Sequence, residues 1–227
     1  MSSSKMLQLI KKPETLKFSA YHAIKDLLVT GKLTRGTIYS ANTFADMLGV
    51  SRTPIREALL ELSAEGFLIA HDGKGFRVKE LSEKTISDFF EMRRITELYV
   101  IERVTALLPE SELAKLRNHL GVMQESYDRG KIEALLEADK AFHLSLIHYH
   151  QNSHLILVMN NIRDLMSFLG HDAIVKEGRS EAVLAEHRAI IGALEKRDTA
   201  AAMQAMRTHL ESTENLLISD IRLLPRE

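Results

Sequence analysis

The 227-residue chain contains no cysteine. Disulfides and thiolate-held metal sites are therefore excluded. No run of 18 apolar residues occurs, so no membrane span is expected. The opening Met-Ser-Ser-Ser-Lys has no apolar signal core, and together with the missing cysteines this predicts a reducing, cytoplasmic setting. There is no internal repeat and no low-complexity segment. Strong net charge is also missing, since the formal total is −1. That total hides an asymmetry. Residues 1 to 80 hold 12 Lys/Arg and 8 Asp/Glu, a balance of +4, and residues 81 to 227 hold 18 and 23, a balance of −5. The basic front half suits a polyanionic partner; the acidic remainder does not.

What is present is most informative between residues 40 and 62. Two short helical patterns flank Gly49-Val50-Ser51. The first predicts burial of Phe44, Ala45 and Leu48. The second predicts burial of Ile55, Leu59 and Leu62, spaced at a helical period. Ser51 is placed to cap the second helix, and Pro54 falls in its first turn, where a missing N–H costs little. Two helices joined by a tight glycine-containing turn form a helix-turn-helix. The face not needed for packing carries Ser51, Arg52, Thr53 and Arg56, donors at the end of a helix that meets base edges and phosphates. Next comes an apolar run at 66–70, the turn cluster His71-Asp72-Gly73-Lys74-Gly75, and a returning run Phe76-Arg77-Val78. Asp-Gly between apolar runs predicts a hairpin, which after a helix-turn-helix is a wing. Lys74 and Arg77 give it positive charge for phosphate contact. The expected DNA-contacting set is Asn42, Ser51, Arg52, Thr53, Arg56, Gly73 and Lys74.

The stretch from Leu48 to Leu59, LGVSRTPIREAL, closely resembles the recognition region of the GntR family of bacterial transcription regulators. The rest of the chain resembles the ligand-binding domain of its FadR-type branch, called FCD. The resemblance covers about residues 16 to 220. It departs at Arg35-Gly36, where the family usually carries Pro-Gly. The expected fold is mainly α: a winged helix-turn-helix followed by an all-α six-helix bundle. The expected domains are a flexible arm at 1–15, a DNA-binding domain at 16–79, a linker at 80–83 and a helical effector, metal and dimerisation domain at 84–220. Six helices are predicted there, at 83–107, 110–128, 131–149, 153–170, 180–196 and 198–219, with Ser82 and Asp198 as caps.

Asp139 and His143 are one helical turn apart on one face, so both can reach one ion. His187 and His209 lie at similar distances from the turn near Arg197-Asp198, so an antiparallel hairpin brings them to the same height. Their neighbours are apolar, including Phe142, Ile190 and Met206. Three imidazoles and a carboxylate suit zinc, nickel, cobalt or manganese, with hydrogen-bonded core histidines as the alternative. The resemblance implies the metal reading, because FCD domains place Asp, His, His and His in this order. It implies one divalent transition-metal ion per chain, zinc first. His22, His71, His119, His154 and His171 read as surface or loop residues, and His148 and His150, two residues apart, point apart on a helix.

Arg93 shares its helix face with Ile86, Phe90 and Glu97. It can pair internally with Glu97, or clamp the carboxylate of an effector with its planar fork; Arg94 is the neighbouring alternative. The resemblance implies the effector role. The expected function is a DNA-binding regulator, more often a repressor, acting as a homodimer on an inverted-repeat operator and tuned by a small carboxylate metabolite. The alternatives are a regulator whose signal is the ion itself and a metalloenzyme. No general base accompanies the candidate ligands, and His143 lacks the adjacent Glu of helical zinc proteases, so no enzymatic activity is expected.

Overall fold

A computed structural model describes residues 15–80, 82–174 and 179–223. The expected arm at 1–15 lies outside the described residues except for Thr15, as does Leu81 of the expected linker. In chain order the elements are α1 (Leu16–Val29), β1 (Ile38–Tyr39), α2 (Ala41–Leu48), α3 (Arg52–Ala64), β2 (Leu68–His71) and β3 (Gly75–Val78). Six long helices follow: α4 (Glu83–Val104), α5 (Glu110–Asp128), α6 (Ile132–His150), α7 (Ser153–Ile174), α8 (Arg179–Glu195) and α9 (Thr199–Leu223). These divide into two compact units: the residues up to Leu28 with Leu33–Lys79, and Val29–Lys32 with the residues from Glu80 on.

The first unit is a winged helix-turn-helix. Ser40 caps α2 by accepting from the Thr43 N–H at 3.1 Å. Gly49 ends that helix in the left-handed conformation (φ 65°), where a residue without Cβ is unstrained. Helix α3 then buries Ile55, Ala58, Leu59 and Leu62, and Phe44, Phe67 and Val78 of the same unit are buried as well. Leu48, expected in that core, is only half-buried. Ser51 occupies the N-cap position in extended conformation, but its side chain makes no capping hydrogen bond. The expected cap is thus positional only, and the hydroxyl stays exposed.

Strands β2 and β3 pair in antiparallel register, Leu68 with Val78 and His71 with Gly75. The two-residue β1 adds a third strand beyond β3. It was not expected, because two residues are too few to show alternation. Gly75 (φ 119°) is required where it stands: a Cβ there would run into the Tyr39 carbonyl of β1. The Arg35-Gly36 turn is tied to the sheet, with the Gly36 N–H donating to the Val78 carbonyl at 3.0 Å.

The second unit is a helical bundle. Ser82 caps α4 through the Thr85 N–H at 3.1 Å, and Asp198 caps α9 through the Ala201 N–H at 2.9 Å. Helix α4 stops at Val104, three residues short of expectation, where the approach of Pro109 disfavours further helical turns. Met123, Leu135, Ala138, Val183 and Leu184 join α5, α6 and α8 in one apolar cluster. Phe90, Ile101, Phe142, Ile190, Met206 and Leu210 are fully buried as well. None of the described helices is long and apolar enough to cross a membrane.

Candidate functional site

Two sets of polar residues stand out, one in each unit. In the winged helix, Asn42 of α2, Arg52 and Arg56 of α3 and Gly73 and Lys74 of the wing line a single groove of about 410 Å³. Asn42, Arg52, Arg56, Gly73 and Lys74 are exposed. Ser51 and Thr53 are exposed at the start of α3, outside that groove. Arg77 is half-buried on β3. The α3 N-terminus supplies free backbone N–H groups and the positive end of a helix dipole beside these cations. The groove can therefore receive a polyanion and present side-chain donors to it.

In the bundle, α6 supplies Asp139 and His143, α8 supplies His187 and α9 supplies His209. One ligand atom from each lies within 4.8 Å of every other. His143 Nε2 is 3.2 Å from His209 Nε2, and His187 Nε2 is 3.2 Å from Asp139 Oδ1. The three imidazoles are buried to within 2 % of full burial. Phe142 packs its ring against His187 at 4.6 Å between centroids and against His143 at 5.6 Å.

Each imidazole has its other nitrogen committed. His143 Nδ1 meets Glu97 Oε2 in a short contact. His187 Nδ1 donates to the Val183 carbonyl at 2.8 Å, and His209 Nδ1 donates to Glu186 Oε2 at 2.8 Å. An acceptor at every Nδ1 fixes the proton there and leaves the Nε2 lone pairs converging on one point. Facing lone pairs 3.2 Å apart repel unless a cation or a proton lies between them. His187 Nε2, although near Asp139, has no aligned hydrogen-bond partner. A buried polar atom left in this way is costly. These residues fit a divalent ion with nitrogen and oxygen ligands.

The electrostatics agree. Burial pushes the His143 imidazolium down to about 3 and the His209 imidazolium down to about 4, against partial opposition from Glu97 and Glu186. Both rings are therefore neutral, the form that binds metal. Burial alone would raise the Asp139 carboxyl, but the Arg163 guanidinium and the neighbouring imidazoles outweigh it and hold the group well below the usual carboxylate range. Glu97 is likewise held low against its burial, chiefly by Arg93 and then by His143.

Arg93 takes the first of its two expected roles. Its Nε donates to Glu97 Oε1 at 2.6 Å, the internal pair. Its Nη2 is buried without an acceptor, and the side chain lines a cavity of about 50 Å³ beside Asp139 and His209. Arg94 is drawn elsewhere, to Glu214. Two further arginines line the same cavity and were not foreseen. Arg163 of α7 donates to Asp139 Oδ2. Arg179 of α8 donates to Glu186 Oε1 at 2.8 Å and to Thr213 at 2.7 Å. Of the remaining histidines, His119 is not a simple surface residue: it is half-buried on α5 and bonds Ser145 at 3.0 Å.

Comparison with known proteins gives two family matches. Residues 16–78 match the family "Bacterial regulatory proteins, gntR family", and residues 88–212 match the family "FCD domain". Among relatives, the HTH-type transcriptional regulator YdhC of Bacillus subtilis (strain 168) is 28% identical over 201 residues, covering 88% of this chain and 90% of that protein. The gluconate operon transcriptional repressor of the same organism is 28% identical over 193 residues, covering 83% of this chain and 79% of its own. Among solved structures, Escherichia coli McbR/YncC superposes with a TM-score of 0.79 at 20% identity, over 91% of this chain and 99% of that one.

Proposed function

Because the chain belongs to the GntR family of bacterial transcriptional regulators and carries its FCD domain, we propose that it is a repressor whose operator binding responds to a small carboxylate held beside a metal ion. These families are regulators, not enzymes, and the relatives include repressors. On this reading residues 16–79 bind DNA, 84–220 bind ion, effector and a second copy, and 80–83 pass the signal between them in the cytoplasm.

At the operator, Arg52 and Arg56 read base edges in the major groove, assisted by Asn42, Ser51 and Thr53. Gly73 and Lys74 bring the wing to the phosphate backbone, which fixes register without reading sequence. One such module reads few base pairs, and a two-fold pair reads an inverted repeat. The homodimer is supported by Met92, Ile95 and Tyr99, which leave an apolar stripe exposed along the outer side of α4.

The observation that carries the metal half is the convergence of three Nε2 atoms whose Nδ1 partners are all committed. Asp139, His143, His187 and His209 would hold the ion, zinc first and nickel, cobalt or manganese next. The ion would supply positive charge for an acidic ligand. Arg93 orients that ligand through its unpartnered Nη2. Binding shifts the population of bundle arrangements only to the extent that the ligand prefers one of them.

The test is elemental analysis of protein purified without chelating tags, together with band shifts on operator DNA. About one transition-metal ion per chain is expected, falling sharply in His209→Ala. DNA binding should survive in that variant while the response to ligand is lost. A chain that takes up no ion even when supplemented, and whose His209→Ala variant melts like the parent, would overturn the metal half and leave the DNA half standing.

A further inference from the structure

Among the described residues, four buried side-chain nitrogens have no hydrogen-bond partner: Arg93 Nη2, Arg163 Nε, His187 Nε2 and His71 Nε2. Three of them lie in the bundle, at or beside the Asp139 cluster. The fourth is the only such atom described in the winged helix. A buried nitrogen without a partner costs stability, so a position that keeps one calls for a partner from outside. The sequence places His71 in a turn cluster, but it is the last residue of β2, half-buried and paired with Gly75 of β3. Its main chain is fixed twice, by that pairing and by its carbonyl, which accepts the Lys74 N–H at 3.1 Å. Its side chain is not held in the same way, because Gly75 offers no side chain across the ladder.

The imidazole lines the groove that also holds Asn42, Arg52, Arg56 and Lys74. That groove is rich in donors. Among the described residues that line it, Asp72 is the one carboxylate, and it is exposed in the wing turn. The acceptor that an imidazole N–H lacks here is therefore not built into the winged helix. A duplex brings it, because phosphate oxygens accept hydrogen bonds from whatever donors line such a groove. We propose that His71 is a further DNA contact: on binding, the ring turns about its side-chain bonds and Nε2–H donates to a phosphate oxygen beside the wing. This rests on the DNA-binding reading above and adds to it a neutral donor, where Arg52, Arg56 and Lys74 are cations. A neutral donor displaces no condensed counterion, so it adds affinity without steepening the salt dependence. The nitrogen left unpaired in the free protein is the one that the duplex satisfies. The same residue thus weakens the free fold and strengthens the complex.

The experiment uses the full chain and a mixed-sequence DNA duplex, since a phosphate contact needs no particular sequence. Fluorescence anisotropy gives the affinity at a series of salt concentrations, and calorimetry gives the melting temperature. His71→Leu, apolar and similar in size, should bind at least about threefold more weakly. It should keep the parent's slope of log affinity against log salt and melt no lower than the parent, because it buries no orphan nitrogen. His71→Gln keeps an N–H at a similar reach and should recover most of the lost affinity. A His71→Leu variant that binds like the parent overturns the proposal. So does one that melts well below the parent or does not fold, which marks the imidazole as a structural residue. Equal weakness in His71→Gln and His71→Leu overturns the donor role. A slope shallower by about 0.9 marks a charged contact and overturns the neutral donor. A parent that binds no duplex overturns the DNA-binding reading together with this proposal, whereas variants that differ from a binding parent in none of these ways overturn the proposal alone.

Discussion

The two units carry their polar chemistry in opposite ways. In the winged helix the candidate contacts Arg52, Arg56 and Lys74 project into solvent from a frame that packs without them. In the bundle, Arg93, Glu97, His143, His187 and His209 are themselves part of the interior. An exposed arginine that touches no core atom can be removed with little effect on folding. A buried carboxylate shared by an arginine and a histidine cannot, because each partner becomes an uncompensated group in a poorly solvated place. On the proposed reading, the first unit keeps recognition and stability on separate residues, whereas the second places both on the same residues, so their effects should be non-additive.

The sharpest way to break that contrast is Glu97→Ala. It strips Arg93 Nε of its acceptor and His143 Nδ1 of its own. Breaking a buried pair from one side costs about 3–5 kcal/mol, so the bundle should lose a large part of its stability in urea. A loss under about 1 kcal/mol, the range of exposed pairs, would mean that the bundle tolerates the orphaned charges. The same substitution should also weaken metal uptake, because the His143 tautomer is no longer fixed.

Acid probes the same interior without mutation. The His143 imidazolium lies at about 3 and that of His209 at about 4, both pushed down by burial, against an ordinary value of 6.5. With the folded value depressed, the unfolded chain takes up protons first as pH falls. Stability present above about pH 6.5 should therefore drain away between there and about pH 3, where both states are protonated. The depressed carboxyls of Asp139 and Glu97 act in the same direction at the lower end. Calorimetry of metal-free protein at pH 7 and pH 5 should show a falling bundle transition. A flat profile would mean that solvent reaches the imidazoles. With the ion bound, acid also competes for the Nε2 lone pairs and releases it.

Metal removal should have a smaller but clear effect. An ion present at about a hundred times its dissociation constant stabilises the folded state by about 2.7 kcal/mol. Chelation should lower the melting temperature of the parent accordingly, and His187→Ala should be insensitive to it. A parent that melts identically with and without chelator would reduce the cluster to hydrogen-bonded core histidines.

The same contrast explains what could be read from the sequence. The helix-turn-helix, the hairpin and the six bundle helices are local patterns, so Ser40 to Leu62 and the periodic apolar residues reveal them. The Asp139, His143, His187 and His209 cluster was legible because two members sit a turn apart and the other two flank one turn. Arg163 and Arg179 were not foreseen, although a signal exists for each. Arg163 falls in the same stripe as the buried Met159, Ile162 and Met166, and Arg179 stands a turn before Val183. A charged residue on an apolar stripe makes sense only with its partner, and Asp139 is 24 residues away on another helix. Tertiary pairing of this kind leaves no periodicity to detect. Ser51 failed as a cap for the reverse reason: sequence gives the position, whereas the hydrogen bond depends on a rotamer.

On the exposed side, Arg52→Ala should cost about 1–3 kcal/mol in operator affinity, the worth of a bidentate arginine–guanine contact. Its melting temperature should match the parent's, since the side chain lies outside the core. Arg56→Ala should behave alike. Band shifts on the operator and on scrambled DNA separate the cases: loss confined to the operator marks base readout, and equal loss on both marks a phosphate contact. A large drop in melting temperature would merge this unit's behaviour with that of the bundle and erase the contrast.

The smallest expected effect is that of Lys74→Ala. Lys74 is exposed at the wing tip, in the turn closed by its own N–H to the His71 carbonyl at 3.1 Å. That turn is held by backbone, so losing the side chain should leave it in place and the protein's stability unchanged. A lysine against phosphate acts as a point charge that displaces about one condensed counterion. Affinity should therefore fall modestly and equally for operator and scrambled DNA, and the slope of log affinity against log salt should become shallower by about 0.9. The slope is the more telling quantity, because it counts phosphate contacts whatever the sequence. An unchanged slope would take Lys74 off the backbone, and a loss confined to one sequence would make it a reader of bases. The second result would give the wing a share of the base recognition proposed for α3.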